Sequence, residues 1–319
     1  MAKTTRLIKG FYRLLFPVAL IILLAVSVAS VLMIQELSHP PATGYIVTPE
    51  QYGQLSARAA QITEETWQNQ DGTAASGWLL RGDTNAPAVV LLHRYGANRS
   101  YLLNLGVKLN EGTNFTVLMP DQRGHGNSPT AATCSFGGCE ASDIAAAITY
   151  LKGLKSADSA PIVNGVIGVY GVEMGALAGL NAAAEDNEIK AIALDSVPQN
   201  SDSVAAAAVA QRFPFASSIT SKLAHLGAYG YFFDGCYSKG SACDAARKVS
   251  GRKVLLLAGM DAPDFQESTV KAAKCFAPDS SVILKADLSP SGIGIVNSSI
   301  DISAAYDQRI IDFFKESLL

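Results

Sequence analysis

Residues 14–34 read LLFPVALIILLAVSVASVLMI, a stretch without a single charge. Crossing the hydrocarbon core of a bilayer as a helix takes about 20 apolar residues, so this stretch is expected to span a membrane. Lys3, Arg6, Lys9 and Arg13 precede it. That excess of positive charge places the N-terminus in the cytoplasm and the rest of the chain in the periplasm or outside the cell. Residues 1–13 then form a basic cytoplasmic segment and 14–34 the anchor. A cleaved signal peptide is the competing reading, because Ser27-Val28-Ala29 offers small residues for cleavage. The run exceeds a usual signal-peptide core, which favours retention. The flanking charges argue against a buried core helix.

The remaining sequence has another character. Residues 35–50 (QELSHPPATGYIVTPE) are polar and proline-rich, as expected of a linker, and His39 is a solvated residue within it. From 51 to 319 the pattern alternates. Strand-like runs occur near 62–68, 77–81, 88–93, 115–119, 166–170, 189–195, 254–258 and 281–285. Helical patterns cover about 100–109, 141–154, 174–184 and 303–318. Early strands followed by strand–helix alternation predict an α/β domain, a mostly parallel sheet with helices on both faces. Residues 197–250 interrupt the alternation with alanine-rich and aromatic segments, and are expected to form a cap-like insertion. The composition is 49% hydrophobic with a net charge of −3, which gives no footprint for nucleic acid.

Three segments carry chemistry. LLHRYGANRS (91–100) ends a strand, PDQRGHGNSP (120–129) forms a turn, and GVYGVEMGALAG (168–179) reads as strand, sharp turn and helix. In the last, Gly171 and Gly175 let the chain reverse and the helix pack closely, lifting Glu173 between them. The Met174 N–H then lies at a helix N-terminus, where developing negative charge is stabilised.

In this order the three segments resemble the α/β-hydrolase superfamily, in particular bacterial serine hydrolases. The resemblance covers about residues 55–319 and implies that fold. It also implies that 168–179 is the nucleophile elbow, and that the His93-Arg94-Tyr95 loop contributes an oxyanion-hole N–H. Several departures follow from the comparison. Glu173 stands where the family has serine, and Arg94 where it commonly has glycine. The acid position after the strand at 254–258 counts to Ala262, with Asp261 and Asp264 beside it. No histidine occurs near LSPSGIGIV (288–296), where the family's base belongs.

Serine catalysis needs a nucleophile, a base and an orienting acid. Glu173, Arg94 and Asp261 are therefore read as former active-site positions of an inactive domain, with Arg94 and Glu173 expected to form an ion pair filling the old pocket. A bidentate contact would offset the desolvation of both charges. The alternative is a noncanonical hydrolase of esters, amides or alkyl substrates that uses Glu173 as nucleophile or base. His93 and His125 are expected to organise loops, and Asp121 with Arg123 to stabilise a turn. His225 is expected on a face of the insertion, and the aromatics of 227–237 are expected to form that insertion's own small core, the alternatives being the lining of a ligand cleft or an exposed patch for a partner or the bilayer.

Neither a metal site nor a cofactor is expected. An inactive domain of this fold can serve adhesion, as cholinesterase-like adhesion domains do. The resemblance thus leaves room for a protein partner within a membrane complex, with any small-molecule ligand unknown. Cys134 with Cys139, and Cys236 with Cys243, are expected to close two short disulfide loops in an oxidising compartment, Cys275 remaining as a small buried hydrophobe. Five free thiols are the other reading.

Overall fold

A computed structural model describes residues 2–53, 61–126, 133–214, 217–233, 235–238 and 240–319. Helix α1, Ala2–Ser38, contains the apolar run, and its Leu15–Ser38 portion, with an 18-residue window of mean hydropathy 2.8, is long and apolar enough to cross a membrane. The helix continues past the expected anchor end at 34 into the region read as linker. A short helix α2, Pro49–Gly53, follows.

Eight strands form one sheet: β1 Ile62–Gln68, β2 Ala74–Leu80, β3 Ala86–Leu92, β4 Thr116–Pro120, β5 Val163–Val172, β6 Ile189–Asp195, β7 Lys253–Gly259 and β8 Ser281–Leu288. Their spatial order is β1-β2-β4-β3-β5-β6-β7-β8. The pairs β1/β2 and β2/β4 are antiparallel, and every later pair is parallel. The central strands are sealed on both faces, which is why they read as continuous apolar runs and not as alternations.

The helices are α3 Leu103–Thr113, α4 Glu140–Gly153, α5 Met174–Glu185, α6 Ser201–Arg212, α7 Ser217–Tyr231, α8 Ala242–Lys248, α9 Pro263–Ala273 and α10 Ile300–Leu318. One layer holds α3 and α10, and the other holds α4, α5, α8 and α9. Between the first layer and the sheet lies a core of Leu103, Leu109, Phe115, Tyr170, Ile310 and Phe314, each 1% exposed or less. The short, polar α9 is not predicted from the sequence. It starts at Pro263, whose fixed φ suits the first helical position.

By compactness the chain divides into two units. One contains the first helix up to Leu37 together with Ala205–Gly235, and the other contains Ser38–Val204 and Cys236–Leu319. In the first, α7 packs on α1 through glycine. In the second lies the sheet with its helical layers.

The cysteines pair otherwise than their spacing suggests. Disulfides join Cys139 to Cys236 and Cys243 to Cys275. Cys134, expected to bond Cys139, is a free buried thiol with its Sγ 3.4 Å from Met174 Sδ. It is drawn under the α5 N-terminus, while the Cys139 N–H donates to the Cys236 carbonyl and brings those two Cα atoms within 4.9 Å. Packing of α8 on α9 brings Cys243 to Cys275, which is bonded and only half-buried, not a left-over hydrophobe.

Candidate functional site

The parallel strands β3, β5 and β6 end together, and β5 runs straight into α5 through Glu173. The backbone of Glu173 has φ 51° and ψ −111°. A non-glycine residue with positive φ is strained, by about 1–3 kcal/mol. The flanking glycines are a steric requirement. A Cβ on Gly171 would lie 2.3 Å from the Gly175 carbonyl oxygen, and one on Gly175 2.6 Å from the Leu92 oxygen. Only bare backbone lets α5 start so close to β3.

The Glu173 side chain is 6% exposed. One carboxylate oxygen, Oε2, accepts a 2.7 Å hydrogen bond from the Tyr95 backbone N–H. The Met174 N–H also favours the ionised form. Burial outweighs both bonds and the attraction of Arg94, and raises the carboxyl pKa to about 7. The elbow and the 93–95 loop therefore do meet. The expected ion pair does not form: among the described residues, no acidic group lies within ion-pair distance of Arg94. Its guanidinium instead donates to the Tyr95 carbonyl at 3.2 Å and sits 5.7 Å from the Tyr101 ring centroid. The backbone at position 95 takes the carboxylate, and the side chain at 94 leads elsewhere.

Both imidazoles are fully engaged. Nδ1 of His93 donates to the Arg94 carbonyl at 2.8 Å, and Nε2 accepts from the Gln122 N–H at 3.1 Å. Nδ1 of His125 donates to the Arg123 carbonyl, and Nε2 accepts from the Gly96 N–H, each at 3.0 Å. These bonds fix the neutral tautomers, and burial lowers the pKa values to about 4 for His93 and about 3 for His125. Each ring ties the 93–96 loop to the 120–125 turn. Arg123 does pair, but with Asp143 at 2.5 Å and Asp71 at 2.9 Å, whereas Asp121 pairs with Arg99 at 3.4 Å. The expected local pair is thus replaced by three longer-range ones.

Asp261, at the end of β7, faces no histidine. Its two oxygens accept from the Ser291 N–H and hydroxyl, at 2.9 and 3.0 Å. A neighbouring carboxylate escapes the sequence reading altogether. Asp195, fully buried at the end of β6, accepts from the Gly292 N–H at 3.0 Å, the Tyr306 hydroxyl at 2.7 Å and the Ser196 hydroxyl at 2.7 Å. Burial raises its pKa from the ordinary aspartate value. The Tyr170 and Tyr306 hydroxyls lie 2.9 Å apart, so a buried chain runs from β5 through α10 to β6. Asp195 and Asp261 together pin the loop in which a catalytic histidine would be sought. The one available signal was the acid closing the apolar strand IKAIALD.

Beside this loop opens a cavity of about 360 Å³. Arg94, Tyr101, Asn104, Lys108 and Tyr306 contribute its polar lining, and residues such as Val172 and Ile295 its apolar wall. Lys108 is paired with Asp307 at 2.8 Å. Glu173 does not line the cavity. Among the described residues, no group of three or more His, Cys, Asp or Glu is placed to hold a metal ion.

The sequence of residues 87–218 matches the family model for the alpha/beta hydrolase fold. Solved structures with the same architecture include an esterase from Pyrococcus furiosus, 19% identical with a TM-score of 0.63, covering 89% of this chain and 99% of that one. A dienelactone hydrolase from Anabaena variabilis is 15% identical with a TM-score of 0.55, covering 82% and 99%. An esterase from Exiguobacterium antarcticum is 16% identical with a TM-score of 0.53, covering 79% and 100%. No curated protein matches the chain in sequence. Strand order, elbow and family match agree: the chain has the α/β-hydrolase fold, with a glutamate at the elbow.

Proposed function

We propose that the protein is a membrane-anchored, extracytoplasmic domain of the α/β-hydrolase fold that has lost hydrolytic chemistry. It serves as a binding or accessory subunit of a membrane complex. The observation that carries this reading is the Glu173 carboxylate on the Tyr95 N–H. In acyl transfer that donor must be free to receive the oxyanion of the tetrahedral intermediate. Here a fixed carboxylate takes its place, and both nearby imidazoles have their nitrogens committed elsewhere. The disulfides and the apolar helix with its basic flank support an outward-facing domain.

Two assays test the loss of chemistry. A fluorophosphonate probe is expected to leave the site unlabelled, and turnover of esters and epoxides is expected to stay at the buffer rate. Specific labelling there would reject the reading. For the binding role, gentle detergent extraction is expected to recover a stoichiometric companion protein, and recovery of a lone monomer counts against it.

One observation favours a second reading. Burial raises Glu173 to about 7, where a carboxylate can act as a general base. The similar structures include esterases and a dienelactone hydrolase, so an ester is the substrate class to try first. Ester turnover that disappears in Glu173→Gln would establish this second reading and displace the first.

A further inference from the structure

Within the unit of the first helix and Ala205–Gly235, α7 crosses α1 well inside the apolar run. We propose that α7 and the turn after it are embedded in the outer leaflet of the bilayer, making the insertion a second membrane-bound element of the protein. This rests on the anchor reading above.

The crossing point sets the depth. A Cβ on Gly227 would lie 2.0 Å from the Ser30 carbonyl oxygen, and one on Gly230 3.8 Å from a Val31 methyl. Ser30, Ala224 and Ala228 are each 1% exposed or less. Backbones approach this closely only where both helices carry small residues, as helix pairs in membranes do. Near the outer end of α1, Glu36 pairs with Arg212 at 3.4 Å, marking a level that carries charge. Ser30 precedes Glu36 by six residues. At 1.5 Å per residue it lies about 9 Å below that level. Interfacial helices seat their apolar faces about 5–10 Å into the bilayer. If α1 spans the membrane, α7 at Gly227 is below the headgroups.

The outward side chains agree with that depth. Ile219, Leu226 and Phe233 recur every seven residues and are 66%, 54% and 89% exposed, with Tyr229 beside them. Seven-residue spacing keeps Ile219 and Leu226 on one stripe of α7, and Phe233 lies in the turn just after the helix ends at Tyr231. Lys222 and His225 are the polar residues exposed with them. A lysine there can lay its stem along apolar surface and keep its ammonium among headgroups. Tyrosine is enriched at the same interface. Lipid is the occupant this face fits, because it continues the bare surface of the spanning helix, where Val28 and Leu32 are 50% and 57% exposed.

The test uses full-length protein in phosphatidylcholine vesicles whose acyl chains carry bromine at known depths. Phe233→Trp and Leu23→Trp are compared with wild type, whose Trp67 and Trp78 supply the background. Brominated lipid is expected to remove most of the fluorescence that each new tryptophan adds. A quenched Leu23→Trp with an unquenched Phe233→Trp overturns the proposal and leaves the anchor standing, whether water or a second copy covers the face. If neither is quenched, the anchor reading falls and takes the proposal with it. Leu226→Trp, on α7 itself, gives an independent readout should Phe233→Trp fold poorly.

Discussion

The Glu173 carboxylate closes on the backbone N–H of Tyr95 at 2.7 Å. The Glu173 carboxyl group thus occupies a donor that an acyl-transfer enzyme would keep free. The bond joins the elbow to the loop after β3, and through His93 and His125 that loop is joined to the turn after β4. The result is a site held rigid by groups that catalysis would need to be available.

Replacing the carboxylate exposes what its burial costs. Glu173 has its pKa raised from 4.5 to about 7, so the folded state holds the proton more tightly than the unfolded chain. Its contribution to stability is fully present below pH 4.5 and is lost as the pH climbs to about 7. That interval corresponds to roughly 3 kcal/mol, at about 1.4 kcal/mol per unit. Glu173→Gln keeps an oxygen for the Tyr95 N–H and carries no charge. Relative to wild type it is expected to gain stability on that scale between pH 4.5 and 8, measured by denaturant unfolding in detergent. A difference between the two proteins that does not change with pH would show that the group is not buried as described.

Restoring the hydroxyl is not expected to restore an enzyme. In Glu173→Ser the Tyr95 N–H becomes free, but no base is available to take the serine proton. Each histidine holds a carbonyl through Nδ1 and an N–H through Nε2, and burial keeps both neutral. The variant's rate on short p-nitrophenyl esters is expected to match buffer. Sustained turnover above it would mean that one imidazole leaves its bonds and serves the elbow.

The cysteines make a prediction that mass spectrometry decides. Peptides from unreduced protein should carry the Cys139–Cys236 and Cys243–Cys275 links, with Cys134 alkylated only after unfolding. Bonds closing loops of this size contribute roughly 3–5 kcal/mol by constraining the unfolded chain. Cys139→Ser, which leaves Cys236 unpaired, should therefore lower the unfolding midpoint clearly. Recovery of a Cys134–Cys139 link would refute the pairing.

Much of this was legible because it is written in local pattern. Runs such as VIGVY and VLLLA are strands sealed on both faces, and the order of the segments 91–100, 120–129 and 168–179 marks the elbow, which the Gly171 and Gly175 spacing alone would not. What escaped depends on distance along the chain. Cys139 and Cys236 are separated by 97 residues, and only the fold brings them together. Arg94 was expected on Glu173 because the two loops meet, but which atom of a loop faces inward is decided by backbone direction, which spacing does not carry. Asp195 looked like the end of a strand. Its partners Gly292 and Tyr306 come from the last quarter of the chain.

Asp195 is accordingly the residue on which the geometry of the β8–α10 loop turns. A Cβ on Gly292 would meet the Tyr306 hydroxyl at 2.6 Å and the Asp195 carboxyl carbon at 3.0 Å, so the loop can press onto the carboxylate only as glycine. Tyr306→Phe removes one hydrogen bond from Asp195 and the partner of the Tyr170 hydroxyl, leaving buried polar atoms short of partners. The cost of such a loss is about 1–3 kcal/mol. Tyr170→Phe with Tyr306→Phe should recover part of it, since the orphaned hydroxyl goes as well. Hydrogen exchange is expected to speed up at Gly292 and its neighbours in the single variant, and much less in α4 on the opposite layer. Uniform acceleration across both layers would show that Tyr306 supports the fold as a whole, and that the loop is not held chiefly through Asp195.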